Sequence, residues 1–231
     1  MARKSKLRKP LRLLAWFTTA VVVLVAAVLL LFRYVNPPTS AFMLAYALDN
    51  PRHSLQQQWV PLEQISPWMP LAVIASEDQR FPHHWGVDFV AIRQALADYQ
   101  TGDGLRGAST ITQQTAKNLF LWNGRSFVRK GLEAVLALSM DAMWPKRRVV
   151  EVYLNIAEFG PGIYGVEAAS NVYFGISARQ LSPRQAAQLA AVLPNPKVLS
   201  AARPSSYVLE RVDWIQRQMR QLSGLEYLTR L

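Results

Sequence analysis

The chain contains no cysteine, which excludes disulfides and thiolate-metal chemistry and leaves the redox character of its compartment open. Histidine is nearly as scarce: His53, His83 and His84 are the only three, and without an H-E-x-x-H helix they give no zinc site. Alternating strand patterns are few and hairpin signals absent, so the expected fold class is all-α. Acids are missing altogether from residues 1–33, and so is any charge from Leu13 to Phe32.

That uncharged run, LLAWFTTAVVVLVAAVLLLF, has the length an α-helix needs to cross a bilayer. It is longer than the apolar core of a cleaved signal peptide, and Leu29–Phe32 is a poor cleavage context, so an uncleaved anchor over 13–33 is expected. Arg3, Lys4, Lys6, Arg8, Lys9 and Arg12 precede it and only Arg33 follows closely. This asymmetry predicts a cytoplasmic N-terminal tail over 1–12, a single pass through the cytoplasmic (inner) membrane, and the rest of the chain on the outer or periplasmic side. The net charge of +11 is thereby explained in part. Residues 1–33 hold seven of the 26 basic residues, and the remainder carries 19 bases against 15 acids. A nucleic-acid partner is not implied; a mildly basic face suits anionic lipid or phosphate-bearing substrates, and an ordinary soluble surface is the commoner explanation of such a balance.

Beyond the Pro37-Pro38 exit, residues 34–65 read as a membrane-proximal segment of no firm period, in which Phe42, Met43, Leu44 and Tyr46 pack or meet lipid. Residues 66–231 form the helical domain. Ser66-Pro67 is expected to open a helix through about Phe81, ended by Pro82. Asp88 caps a second, with Phe89, Ile92, Leu96 and Tyr99 on one stripe. Ser109 starts a third; Ser126 starts a fourth, apolar enough to be central; Pro145 opens a fifth through Asn155. A glycine-rich turn, FGPGIYG, precedes a helix over 166–174, Ser182-Pro183 caps an alanine-rich one, and an amphipathic helix closes the chain.

Three constellations could carry chemistry. The first is E-D-x-x-F-x-x-H-x-G, with Glu77 and Asp78 directly behind an apolar run, then Phe81, His84 and Gly86. Burial raises a carboxyl pKa, and a carboxyl so placed is a candidate general acid or base; a helix-terminal acid with a packed aromatic is the plain alternative. The second is GASTITQQTAKN, in which Ser109 at a helix start offers backbone N–H groups to a phosphate while Thr110, Gln114 and Lys117 share a face. The third is R-K-x-x-E: Arg129, Lys130 and Glu133 read either as a cleft lined for an anionic leaving group or as an ion pair in the less favourable helical order.

These blocks, together with KRRVVEVYLNIAEFGPGIYGVEAAS, resemble in sequence and order those of the peptidoglycan glycosyltransferases, glycosyltransferase family 51, and most closely its monofunctional biosynthetic transglycosylases. The resemblance covers about 65–196. It implies a lysozyme-like α-helical fold and polymerisation of lipid II into β-1,4 glycan strands with release of undecaprenyl diphosphate. It implies that Glu77 is the catalytic base, that Asp78, Phe81 and His84 are its neighbours, and that Ser109, Thr110, Gln114, Lys117 and Asn118 bind donor sugar and diphosphate. Arg129, Lys130 and catalytic Glu133 then stabilise the leaving group. Asp141 stands where many members have Glu, a change expected to affect packing. No cofactor is expected; a divalent cation could assist the diphosphate, but no ligands can be assigned to it. Implied partners are lipid II, the nascent chain and the membrane, with other wall synthases or division proteins further candidates. No S-x-x-K, S-x-N or K-T-G triplet occurs, so a transpeptidase domain is expected to be absent. The competing functions are a glycan-cleaving muramidase or lytic transglycosylase, and an inactive membrane-anchored wall scaffold.

Overall fold

A computed structural model describes residues 8–100, 109–124 and 126–231. It divides into two compact units, 1–37 and 38–231. The first is dominated by helix α1 (Arg8–Tyr34), a helix long and apolar enough to cross a membrane over Arg12–Tyr34. The second takes in most of the segment from 34 to 65 as well as the helical domain.

Residues 41–49, which show no firm period, form a short helix α2 (Ala41–Asp49). Ser40 is the signal: its hydroxyl accepts the Met43 N–H and caps the first turn. Next comes β1 (Gln56–Gln57), then α3 (Trp68–Glu77). Helix α3 buries Met69 through Ala75 without a break, which makes it the axis of the domain. It starts at Pro67 rather than on a Ser66 cap, because the Ser66 hydroxyl is spent on the Leu181 carbonyl. It also ends four residues before Phe81: Asp78 leaves helical geometry at φ −159, ψ 73, and Phe81–His83 form a separate 3₁₀ turn. Glu77 and Phe81 therefore do not share a helix face.

Helix α4 (Phe89–Gln100) is capped by Asp88, whose Oδ1 accepts from the backbone of Val90 and Ala91. Its apolar stripe, however, lies in solvent, with Phe89 61% and Tyr99 61% exposed. Helices α5 (Ile111–Phe120), α6 (Phe127–Met143) and α7 (Lys146–Ile156) follow, α5 packing against both of the others. The expectation that α6 is central is corrected. Of its 17 residues only Glu133, Ala137 and Met140 are buried, while α7 buries Val149, Val150 and everything from Val152 to Ile156.

The FGPGIYG turn is the bend of a hairpin, β2 (Glu158–Gly160) with β3 (Ile163–Tyr164), and β1 joins it parallel to β3. Gly162 turns the chain at φ +75, where a Cβ would also run into the Tyr46 ring. Asn155 anchors the approach to the sheet by exchanging hydrogen bonds with both backbone groups of Val60. The sheet is small enough that the domain remains essentially all-α. Helices α8 (Val166–Phe174), α9 (Pro183–Val192) and α10 (Ser206–Gln221) complete it, with α3, α9 and α10 packed together and a 3₁₀ turn over Gly224–Arg230 at the end.

Candidate active site

The break after α3 places consecutive carboxylates in different surroundings. Asp78 is buried and fully engaged: His84 Nε2 lies 3.0 Å from each of its oxygens, and the Ile111 N–H donates to Oδ2 at 3.0 Å. One side chain thus ties together the end of α3, the histidine turn and the start of α5. Phe81 and His84 support it edge to face, and Lys146 crowns the Phe81 ring at 4.6 Å while donating to the His84 carbonyl. Asp141 accepts from the same Lys146 at 2.6 Å, so the departure at 141 bears on the packing of this motif. Gly86 closes the turn at φ +69, where a Cβ would collide with the Ala137 carbonyl of α6.

Ile111 donating to Asp78 changes the reading of the α5 N-terminus. Helix α5 begins at Ile111 with Thr110, not Ser109, as its cap. Thr110 and Gln113 form a reciprocal capping box, and the Thr110 hydroxyl donates to the Gly86 carbonyl. Of the amides that would have cradled a phosphate, those of Thr110, Ile111 and Gln113 are occupied by protein groups, and the Asp78 carboxylate on Ile111 satisfies the helix end as an anion would. Thr110 is buried and works as a structural clamp. Ser109 lies just outside the helix, where its hydroxyl accepts from Lys130 Nζ at 2.8 Å.

Glu77 lines a recess of about 230 Å³ together with Asp78, Arg80, Ser109 and Thr110. Its Oε2 accepts from Gln114 Nε2 at 2.9 Å, and Gln114 Oε1 in turn accepts from the Tyr153 hydroxyl at 3.1 Å. Burial raises the Glu77 pKa above the ordinary carboxyl value and the Asp78 charge adds to this, while the Gln114 hydrogen bond, Arg211 and Lys117 pull it down. On the far side of Gln114 lies a second cleft of about 240 Å³, lined by Gln114, Lys117, Asn118, Tyr153, Phe42 and the Pro194–Lys197 turn among others.

The third constellation assembles at the start of α6. Glu133, 3% exposed, takes Arg129 Nη1 at 2.6 Å on one oxygen and Lys130 Nζ at 2.5 Å on the other. The ion-pair reading is thus realised, and the cation-lined reading survives beside it, because Lys130 reaches out to Ser109 and remains half exposed. Lys117 connects the two carboxylates: burial lowers its pKa, Arg129 and Lys130 lower it further, and Glu133 and Glu77 both raise it. Among the described residues no cluster of three or more His, Asp and Glu side chains is placed to hold a metal ion.

Two more residues reach the cleft: Phe42, expected from the sequence only to pack or meet lipid, and Tyr153, to which no motif reading assigns a role. Phe42 reaches the cleft because α2 packs on α5 and sets its ring 5.3 Å from Lys117 Nζ. Tyr153 carried a readable signal, a lone phenol in the otherwise aliphatic stretch V-Y-L, since a buried hydroxyl requires a partner.

The axial helix thus ends in a half-buried carboxylate that Gln114 joins to a cleft edged by Lys117 and Lys197. Residues 44–220 match the model of the transglycosylase family, and the chain belongs to that family. It is 56% identical over 214 residues to the biosynthetic peptidoglycan transglycosylase of Marinomonas sp. strain MWYL1, covering 92% of each chain. With the protein of that name from Shewanella amazonensis it shares 58% identity, over 91% of this chain and 85% of the relative, and with that from Pseudomonas fluorescens 50%, over 97% and 93%.

Proposed function

We propose that this transglycosylase polymerises lipid II into glycan strands at the outer face of the cytoplasmic membrane, with Glu77 as the general base. In that reaction Glu77 takes the proton from the 4-hydroxyl of the acceptor sugar as its oxygen attacks the anomeric carbon of the donor. The bond from that carbon to the diphosphate oxygen breaks, and the bonding pair leaves with undecaprenyl diphosphate. A carboxylate whose pKa burial has raised is a better proton acceptor than an ordinary one. Lys117, Arg129 and Lys130 supply positive charge where the diphosphate departs, Glu133 holding the latter two in place.

The observation that carries this reading is the pairing of one base with a cluster of cations. A glycan-cleaving enzyme needs a proton donor for its leaving oxygen; here that position is served by cations, which suit a diphosphate. The recess bearing Glu77 and the cleft bearing Gln114, Lys117 and Asn118 give room for an acceptor and a donor. The substrate is lipid-linked, and two features support a membrane setting. Helix α1 is suited to a single-pass anchor, with the basic residues before it favouring a cytoplasmic N-terminus. Helices α4 and α6 present exposed apolar side chains, including Phe89, Leu96, Phe127 (99% exposed) and Val135. No cofactor is assigned in this mechanism, and a divalent cation at the diphosphate would be held by substrate oxygens rather than by a dedicated ligand set.

The test is turnover of labelled lipid II by the full chain in detergent, with sizing of the product and a parallel assay on pre-formed strands. Wild-type protein is expected to lengthen glycan and leave finished strands intact, and Glu77→Gln to lose ~10²-fold or more of the rate while still binding lipid II. Cleavage without polymerisation would overturn the synthase reading, and near-normal turnover by Glu77→Gln the base assignment.

A further inference from the structure

We infer that Tyr153 is a positioning residue for this site: its hydroxyl fixes which way round the Gln114 amide lies, so that an N–H and not a carbonyl faces Glu77. The inference rests on the reading of Glu77 as the base. Three helices meet in the arrangement, α3 supplying Glu77, α5 Gln114 and α7 Tyr153.

A glutamine amide has a donor end and an acceptor end of nearly equal size, and packing alone does not choose between them. A neighbouring hydroxyl can. Tyr153 is 1% exposed, in the most deeply buried stretch of α7, so its ring has little freedom to move and bulk water does not compete for its proton. Burial and the Glu77 charge both push the Tyr153 pKa well above its ordinary value, so the phenol keeps its proton and remains a donor across the working range. With Oε1 of Gln114 occupied by that donor at 3.1 Å, Nε2 is left pointing at Glu77 Oε2 at 2.9 Å.

The alternative orientation would set a carbonyl oxygen against the carboxylate. That arrangement repels the ionised form of Glu77 and accepts a hydrogen bond from the protonated one. Tyr153 therefore biases Glu77 toward the ionised state a base must start from, acting through Gln114 and not by a hydrogen bond of its own to Glu77. The other charged groups acting on Glu77 are Asp78 beside it, Lys117 on α5 and Arg211 on α10. None of these is hydrogen-bonded to the Gln114 amide, so loss of the Tyr153 hydroxyl leaves them in place.

The experiment is the pH–rate profile of lipid II polymerisation for wild type, Tyr153→Phe, Gln114→Ala and the double variant, with thermal midpoints measured alongside. Tyr153→Phe keeps the ring and its packing. Its acid limb is expected to move up by about 0.5 to 1 pH unit, the equivalent of one net hydrogen bond, while KM for lipid II stays within about twofold. In the Gln114→Ala background the same change is expected to move the limb no further, because the hydroxyl then has no amide to orient. A tyrosine analogue with one ring fluorine at 153, a stronger donor of the same shape, is expected to move the limb the opposite way. An unmoved limb in Tyr153→Phe, an undiminished shift in the Gln114→Ala background, or a fluorinated ring acting in the same direction as Phe would each overturn the inference. Glu77→Gln separates this from the reading beneath it. If that variant is inactive and the Tyr153→Phe limb stays put, only the role of Tyr153 falls; if Glu77→Gln turns over normally, the base assignment falls with it.

Discussion

Helix α3 and helix α6 each carry a buried or half-buried glutamate, and they differ in nearly everything else. Helix α3 hides seven consecutive residues and ends at its glutamate, so Glu77 stands where a fully packed rod stops. Helix α6 buries three of 17 residues and carries Glu133 in its second turn, with an apolar face turned to solvent. Glu77 meets an uncharged amide; both oxygens of Glu133 meet cations. The first surrounding makes proton uptake easy, and the second makes a rigid mount for positive charge. The same residue type thus receives opposite employment from its environment.

Breaking the α6 side at its charge should have an effect of the same order as loss of the base. Glu133→Ala releases Arg129 and Lys130 from their common partner, and polymerisation is expected to fall by ~10²-fold, the usual loss when an electrostatic stabiliser is removed from a transition state. A comparable loss from Glu133→Gln, with lipid II still bound, would show that charge and not shape is at issue. A near-normal rate in both would remove Glu133 from the leaving-group site.

The packing difference is tested by a matched pair of truncations. Ile74→Ala, at a fully buried position of α3, should cost about 2 to 5 kcal/mol in denaturant unfolding. Val135→Ala, exposed on α6, should cost less than about 0.5 kcal/mol and instead weaken association with lipid vesicles. Equal costs at the two sites would mean that α6 is buried in the folded protein after all.

The smallest effect is one of sign. Because the folded-state pKa of Glu77 is raised, its ionised form is disfavoured by folding. The penalty is absent below the unfolded-state pKa and fully present above the folded one. Glu77→Gln should therefore raise the thermal midpoint at neutral pH, and the gain should close as pH falls through the carboxyl range. A gain that persists unchanged into acid would assign the effect to packing.

The contrast between the two helices also shows what could be read from the sequence. The N-terminal apolar helix, the caps at Asp88, Ser126 and Ser182, and the presence of each helix from α3 onward followed from local pattern, because capping and periodicity are decided within a few residues. The grouping of Arg129 and Lys130 with Glu133 followed from motif spacing, whereas Glu77 and Gln114 belonged to separate motifs and their hydrogen bond was not legible in the sequence. Nor did it follow which apolar helix is inside. Leu, Val and Phe on α6 compose a plausible core face, and only the placement of α7 and α3 shows that the interior was already filled. The α5 N-terminus was misread for a related reason. A free helix end and one plugged by a carboxylate 33 residues away look the same in a linear pattern, and so do a glycine-rich turn and a hairpin whose third strand comes from 56–57.

That plug sets a limit on how the site can vary. Asp78 grips the first residue of α5, and Thr110 grips Gly86, so the chain is clamped at both ends of the stretch from Val87 to Ser109. Whatever the length of that stretch, the distance from Glu77 to Gln114 is set by the clamps and not by the connection between them. Insertions and deletions between the clamps carry only a slowly growing loop-closure cost, so this excursion can change length while the base and its amide stay in register.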